Sequence, residues 1–324
     1  MTDKQYVYSV ARIRSKELSL LSKQDMEKLL SCKGYAECVL SLMEKGWNNC
    51  NTEDVTIDEL LKNERLKTWE LMEELVKDAS VFNTFLIEND FHNLKAAIKQ
   101  VYLDKSISNI YIYNAAIDPI SIYTAIKEQN FMALPEYMQN CAIEAYEVQM
   151  HTGDSQLVDI IIDKRALEAI YESGISSGNE VFSKYAELRV AFADINIALR
   201  CNKTGKTKDY MKKAMAKCKS LDVDKLIDLA LDNKDAILEY LKTTVYSEIV
   251  DHIKKSSSSL DKYCDNQIIE SIKPQKYNSF TISPLAAYVL AREIEMKNVR
   301  IILSGKKNSL KEESIRERLR ELYV

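Results

Sequence analysis

The chain has 324 residues, room for two or three domains, and a net charge of −4 with both signs interspersed, which excludes the overall basic footprint of a nucleic-acid binder. Only 7 Gly and 4 Pro occur, so few turns can be built from them and long uninterrupted helices are expected. Seven cysteines, at 32, 38, 50, 141, 201, 218 and 264, are odd in number and scattered, which reads as reduced cytosolic thiols. No apolar run approaches the ~18 residues that span a bilayer, and Met1-Thr2-Asp3-Lys4-Gln5 leads into an amphipathic helix, with no signal peptide expected.

Taken in order, Val7, Val10, Ile13 and Leu18–Leu21 form an apolar stripe on a helix from Lys4 to Leu21. Ser22-Lys23-Gln24-Asp25 restarts a helix carrying Met26, Leu29 and Leu30. Gly34 breaks the chain, a short helix spans Tyr35–Lys45, and Gly46 ends it before the polar loop Trp47–Asn51. A helix over Thr56–Lys77 and another over Phe82–Leu103 follow. Asp104–Asn114, with Ile107, Ile110, Tyr111, Ile112 and Tyr113, is the only β-like run, and its isolation predicts an extended connector.

Asp118 caps the next helix ahead of Pro119. Helices are expected at Ile120–Gln129, Pro135–His151 and Ser155–Glu172. The Gly- and Ser-rich stretch Ser173–Asn179 separates them from Val181–Cys201. Asn202–Thr207 reads as a basic loop and Lys208–Cys218 as a helix. Beyond Asp222, helices are expected at Lys225–Leu231, Asp235–Leu241 and Val245–Lys255. Ser256–Ser259 reads as a linker or helix break, Leu260–Ile272 as a helix, and Lys273–Phe280 as a loop. Ser283-Pro284 fits a helix start, with Gly305 as its stop. A last helix runs from Ser309, with Glu312 and Glu313 close behind, to Leu322.

One pattern recurs. Asn93, Asn196 and Asn298 each follow an acid and precede an apolar residue and then a base, at separations of 103 and 102 residues. The middle copy departs, its acid two residues before Asn196 and its base four after. We read a triplicated architecture, with lobes at 1–115, 116–220 and 221–324, and the N-terminal helix pair packing with the C-terminal unit. The three asparagines serve either burial and capping or contact with a partner.

Chemistry is harder to find. Gly205-Lys206-Thr207 resembles the tail of a phosphate-binding loop, but Arg200 stands where its first glycine belongs and no strand precedes it. His92, His151 and His252 are single and far apart, and no Cys-x₂-Cys pair occurs, so no metal site is expected. Glu293 and Glu295 do not make a catalytic pair by spacing alone. No active site and no cofactor are expected; an all-α scaffold of this kind works through shape.

Three stretches carry a family resemblance. Ser283-Pro284-Leu285, Tyr288 to Glu295, Asn298-Val299-Arg300-Ile301-Ile302, Gly305-Lys306 and Ile315-Arg316-Glu317-Arg318-Leu319 resemble the C-terminus of the C-subunit family of V-type ATPases, whose eukaryotic equivalent is called the d subunit. Tyr8-Ser9-Val10-Ala11-Arg12-Ile13-Arg14 with Asp25 to Leu30 is similar to that family's start, and Asp90 to Lys95 to an internal element. The resemblance implies an all-α funnel of three similar lobes and a non-catalytic rotor part. It implies a place on the cytoplasmic face of the membrane ring of proteolipid subunits, touching the membrane only through that ring. There the protein would receive the central shaft and couple ATP-driven rotation to proton or sodium translocation. Arg12, Arg14, Asn93, Lys95, Asn196, Arg200, Asn298 and Arg300 are then the candidates for cavity-wall or interlobe contacts. The alternative is an all-α repeat scaffold that binds another protein partner.

Overall fold

Helix starts follow from capping chemistry. The Ser22 hydroxyl accepts from the Asp25 N–H while the Asp25 carboxylate accepts from the Ser22 N–H, and Thr56 with Glu59 repeats the arrangement. Asp118, Asp154, Asn179, Thr207, Asp222 and Ser256 each cap a helix through one side-chain oxygen. The computed structural model describes residues 6–47, 55–105, 107 and 109–324, and no strand occurs among them. The expected polar loop at 47–51 apart from Trp47, with Cys50 in it, and the first residues of the first helix lie outside the described residues.

In chain order the helices are α1 (Val7–Glu17), α2 (Lys23–Ser31), α3 (Tyr35–Glu44), α4 (Ile57–Leu75), α5 (Ile87–Leu103), α6 (Pro119–Lys127), α7 (Glu136–Thr152) and α8 (Ser155–Ser176). They continue with α9 (Glu180–Thr204), α10 (Lys208–Ala214), α11 (Val223–Asp232), α12 (Lys234–Lys242), α13 (Ile249–Lys255), α14 (Ser257–Ile272), α15 (Ser283–Lys307) and α16 (Glu312–Arg316). The chain divides into two compact units, one of Met1–Ala79 with Asp251–Val324, the other Ser80–Val250.

The first unit is built around α15, which packs against α1, α3, α4, α14 and α16. Ala286, Ala287, Val289, Ile294, Met296, Val299, Ile302 and Leu303 are all buried, so the helix is apolar nearly all round, as a central helix must be. Each fully buried Val, Leu, Ile or Met among them contributes about 1.5–3 kcal/mol. Gly305 is not the expected stop. The helix runs on to Lys307, and Ile315 of α16 sits where a Cβ on Gly305 would go, 2.5 Å away, so the glycine permits close packing. The last helix is correspondingly short, and Ser309, the expected cap, takes a left-handed turn with φ of +53°. Ser283 is the first helical residue rather than the cap, with Ile282 before it.

The second unit stacks α8 on α9, with α5, α7, α10, α11 and α12 packed on one or the other of them and α6 packed on α5. Gly174 of α8 lets the helices touch: a Cβ there would stand 2.4 Å from that of Ala186 on α9. Phe85 packs 5.0 Å from Phe182 and 4.9 Å from Tyr185, ring centre to ring centre. The expected loop at Asn202–Thr207 is shorter than read, because α9 runs to Thr204 and turns on Gly205 at φ of +63°. The expected helix to Cys218 stops at Ala214. Two backbone donors that would continue it go elsewhere, Ala216 N–H to the Asp194 carboxylate and Ser220 N–H to Glu187.

Candidate functional site

Three long helices, α5, α9 and α15, each hold the returning chain by one inward side chain. Asn93 donates to the Ile112 carbonyl and accepts from the Ile112 N–H, both at 2.8 Å, 19 residues downstream. Asn298 does the same for Arg320, 22 residues downstream, at 3.1 and 2.8 Å. An amide suits the task because it carries donor and acceptor on one carbon. In the middle helix the equivalent is Asp194, which accepts from Ala216 N–H at 3.1 Å, again 22 residues downstream. Asn196 points elsewhere and donates to the Phe192 carbonyl of its own helix.

Asp194 is fully buried and its second oxygen has no hydrogen-bond partner. Burial pushes its carboxyl up to about 8, against the pull of the Ala216 N–H and of Lys164. Asp90, one turn before Asn93, accepts from the Ile117 N–H at 3.0 Å and the Tyr137 hydroxyl at 3.3 Å, and burial pushes it to about 6.

The first unit treats buried carboxylates differently. Arg292 donates to Glu64 at 2.7 Å and to Glu295, while its guanidinium lies 5.0 Å from the ring of the buried Trp47. Glu295 also accepts from the Leu21 N–H, tying the end of the α1 segment to α15. Its carboxyl is raised by burial, which outweighs Arg292 and Leu21. Glu64, Thr68, Tyr288 and Arg292 open onto a polar cavity of about 430 Å³ whose wall includes Arg12 and Lys16.

The remaining candidates lie apart. Arg12 pairs with Glu74 at 3.3 Å. Arg14 pairs with Glu17 at 2.7 Å and donates to the carbonyls of Gln275 and Asn278. Lys95 pairs with Asp163, and Arg300 with Asp58 at 2.7 Å, both on the surface. Arg200 is exposed at the end of α9. No two of the eight candidates bond to each other among the described contacts. Glu64, Asp194, Arg292 and Glu295 are not among the eight candidates, although Asp194 interrupts the apolar run Val190–Ile195 and Arg292 and Glu295 interrupt that of α15. Charges set inside apolar helical runs were the available signal.

Among the described residues, no group of His, Cys, Asp and Glu could hold a metal ion, and no helix is long and apolar enough to cross a membrane. The six described cysteines are free thiols.

Comparison with known proteins accounts for a scaffold of this kind. Residues 9–318 match the family described as ATP synthase (C/AC39) subunit. The chain is 24% identical over 321 residues to the C subunit of the V-type sodium ATPase of Enterococcus hirae, an alignment that takes in 96% of this chain and 97% of that one. It is 23% identical to the C subunit of the A-type ATP synthase of a Desulfurococcus species, over 96% and 90% of the two chains, and 21% identical to its counterpart from Methanocaldococcus jannaschii, over 97% and 86%. The chain therefore belongs to the ATP synthase (C/AC39) subunit family, the C subunits of V- and A-type rotary ATPases, a structural and non-catalytic part of the complex.

Proposed function

We propose that this protein is a central-stalk rotor part that links the shaft to the proteolipid ring, on the cytoplasmic face of the membrane. It couples ATP hydrolysis or synthesis to proton or sodium translocation. The observation that carries this reading is the family match, which runs over residues 9–318 of an all-helical chain. The physical character of the interior supports it. A part that transmits torque needs stiff elements and fastened connections, and the side-chain clasps at Asn93, Asp194 and Asn298 fix each return segment to a long helix.

In this reading the three clasped helices are the cores of three similar lobes, at 1–115, 116–220 and 221–324, around a funnel that receives the shaft. Asn93, Asn196 and Asn298 serve within the lobes. Arg12, Arg14, Lys95, Arg200 and Arg300 supply cavity-wall or interlobe contacts. The test is a pull-down of the full chain against the shaft proteins and against the proteolipid ring, with thermal melting followed with and without shaft. Binding to both partners, with a melting temperature raised by the shaft, is the expected result. A folded helical chain that binds neither overturns the rotor reading and leaves the family and the fold.

A further inference from the structure

Between Arg200 and Lys219 eight bases stand against a single acid, Asp209, in a chain whose net charge is −4. The structure turns this stretch into one surface. Met211, Ala214, Met215 and Ala216 face inward and are buried, while Lys203, Lys208, Lys212, Lys213, Lys217 and Lys219 are exposed. After α10 the chain runs back along α9, since Ala216 is held by Asp194 and Ser220 by Glu187. Lys217 and Lys219, two apart on this extended segment, therefore share its outer side. From Glu187 to Thr204, α9 rises about 25 Å, which sets the length of the basic stripe. Of the eight bases only Lys208 has a carboxylate partner among the described residues, Asp228.

Beside the stripe lies a groove of about 520 Å³. Its floor is apolar, made by Tyr171, Met215, Val223 and Ile227, and Lys164, Lys212 and Lys217 stand at its rim. Three acids also line it: Glu168 and Glu172, both paired with Arg165, and Asp224.

We infer that this face of the second unit docks an acidic amphipathic helix of a partner protein. Its carboxylates meet the lysine rim and its apolar side chains enter the groove. The length of the stripe fits about 17 helical residues. A flat lipid headgroup surface would meet the lysines but leave the recessed apolar floor unused. A nucleic-acid strand would want exposed rings to stack on, whereas Tyr210, the aromatic within the stripe, carries Lys206 over its ring at 4.7 Å. The inference does not depend on whether the shaft or the ring is the natural partner.

The probe is a fluorescein-labelled 18-residue peptide with glutamates on one helical face and leucines on the other. It is titrated with the full chain and followed by anisotropy. Saturable binding is expected. It should weaken at least tenfold in Lys212→Glu/Lys213→Glu/Lys217→Glu and severalfold between 50 and 300 mM salt. A Lys212→Gln/Lys213→Gln/Lys217→Gln variant, checked for an unchanged melting temperature, keeps the test valid if charge reversal unfolds the chain. A peptide with serines in place of the leucines should bind at least tenfold more weakly, because the groove then has nothing to take up. Equal binding by the lysine variants, or by the serine peptide, overturns the inference. So does binding of phosphatidylglycerol vesicles or single-stranded RNA in preference to the acidic peptide. A failed shaft pull-down with successful peptide binding would sink the rotor reading and spare this one.

Discussion

The two units bury carboxylates in opposite ways. In the first, Glu64 and Glu295 share the guanidinium of Arg292, itself stacked against Trp47. In the second, Asp90 and Asp194 are bonded only by N–H and O–H groups, with the charge of Lys164 acting on Asp194 without a bond, and both titrate well above an ordinary aspartate. A counter-ion pulls a buried carboxylate toward its charged form, although burial still outweighs that pull at Glu295; without one, a proton answers the carboxylate. The first arrangement is sensitive to losing a side chain, the second to pH.

The largest effect should come from removing the counter-ion. Arg292→Met leaves two buried carboxylates facing each other and should cost about 3–5 kcal/mol, read by denaturant unfolding. Part of the loss should return at acid pH, where a proton on Glu295 relieves the repulsion. A cost below about 1 kcal/mol would mean that the cluster is not closed to water. Asn298→Ala, which strips both bonds from the Arg320 backbone, should cost about 2–3 kcal/mol.

In the second unit the sensitive variable is pH. Asp194 has a folded-state value of about 8 against 3.8 ordinarily. Between these values the folded chain holds a proton that the unfolded chain gives up. Its contribution to stability therefore falls as pH rises from about 4 to about 8 and is level above. Asp194→Asn should remove that slope, giving this clasp the amide of the other two. At pH 8.5 we expect a melting temperature about 2–4 °C above that of the parent, the equivalent of ~1 kcal/mol. A difference between variant and parent that does not change with pH would show Asp194 to be ionised and solvated. The smallest effect should be that of Asp90→Asn, whose pH dependence is confined to the range from about 4 to about 6 and whose bonds from Ile117 and Tyr137 the amide oxygen can partly keep.

Much of the fold was legible from residue types. Low Gly and Pro content, helical spacing and an N-cap such as Asp118 predicted a helical chain, which the structure bears out. Stops were less legible. Gly305 has the sequence of a helix end and the environment of a packing contact, and only the position of Ile315 tells the two apart. The end of α10 is set by Asp194 and Glu187, which lie 22 and 33 residues before the backbone groups they capture, beyond the reach of any local pattern. Matching by residue type picks Asn196 in α9, whereas a carboxylate two residues earlier, Asp194, holds the returning chain there as the amides of Asn93 and Asn298 do in α5 and α15. Arg292 and Glu295 sat in plain view inside an apolar run, yet their partner Glu64 lies 228 residues from Arg292, so the cluster exists only in the folded chain.

The composition of the first unit from two separate stretches of chain has a consequence for synthesis. Residues 80–250 form the second unit without interruption, so it can fold as soon as it leaves the ribosome. The first cannot be completed then: Leu21, Leu30 and Cys32 find their partners on Glu295 and Lys306, near the far end of the chain. At roughly 5–20 residues per second, the opening helices wait on the order of ten seconds or more with their apolar faces uncovered. Chaperone binding to nascent chains should therefore concentrate on α1 to α4 and cease once α15 has emerged.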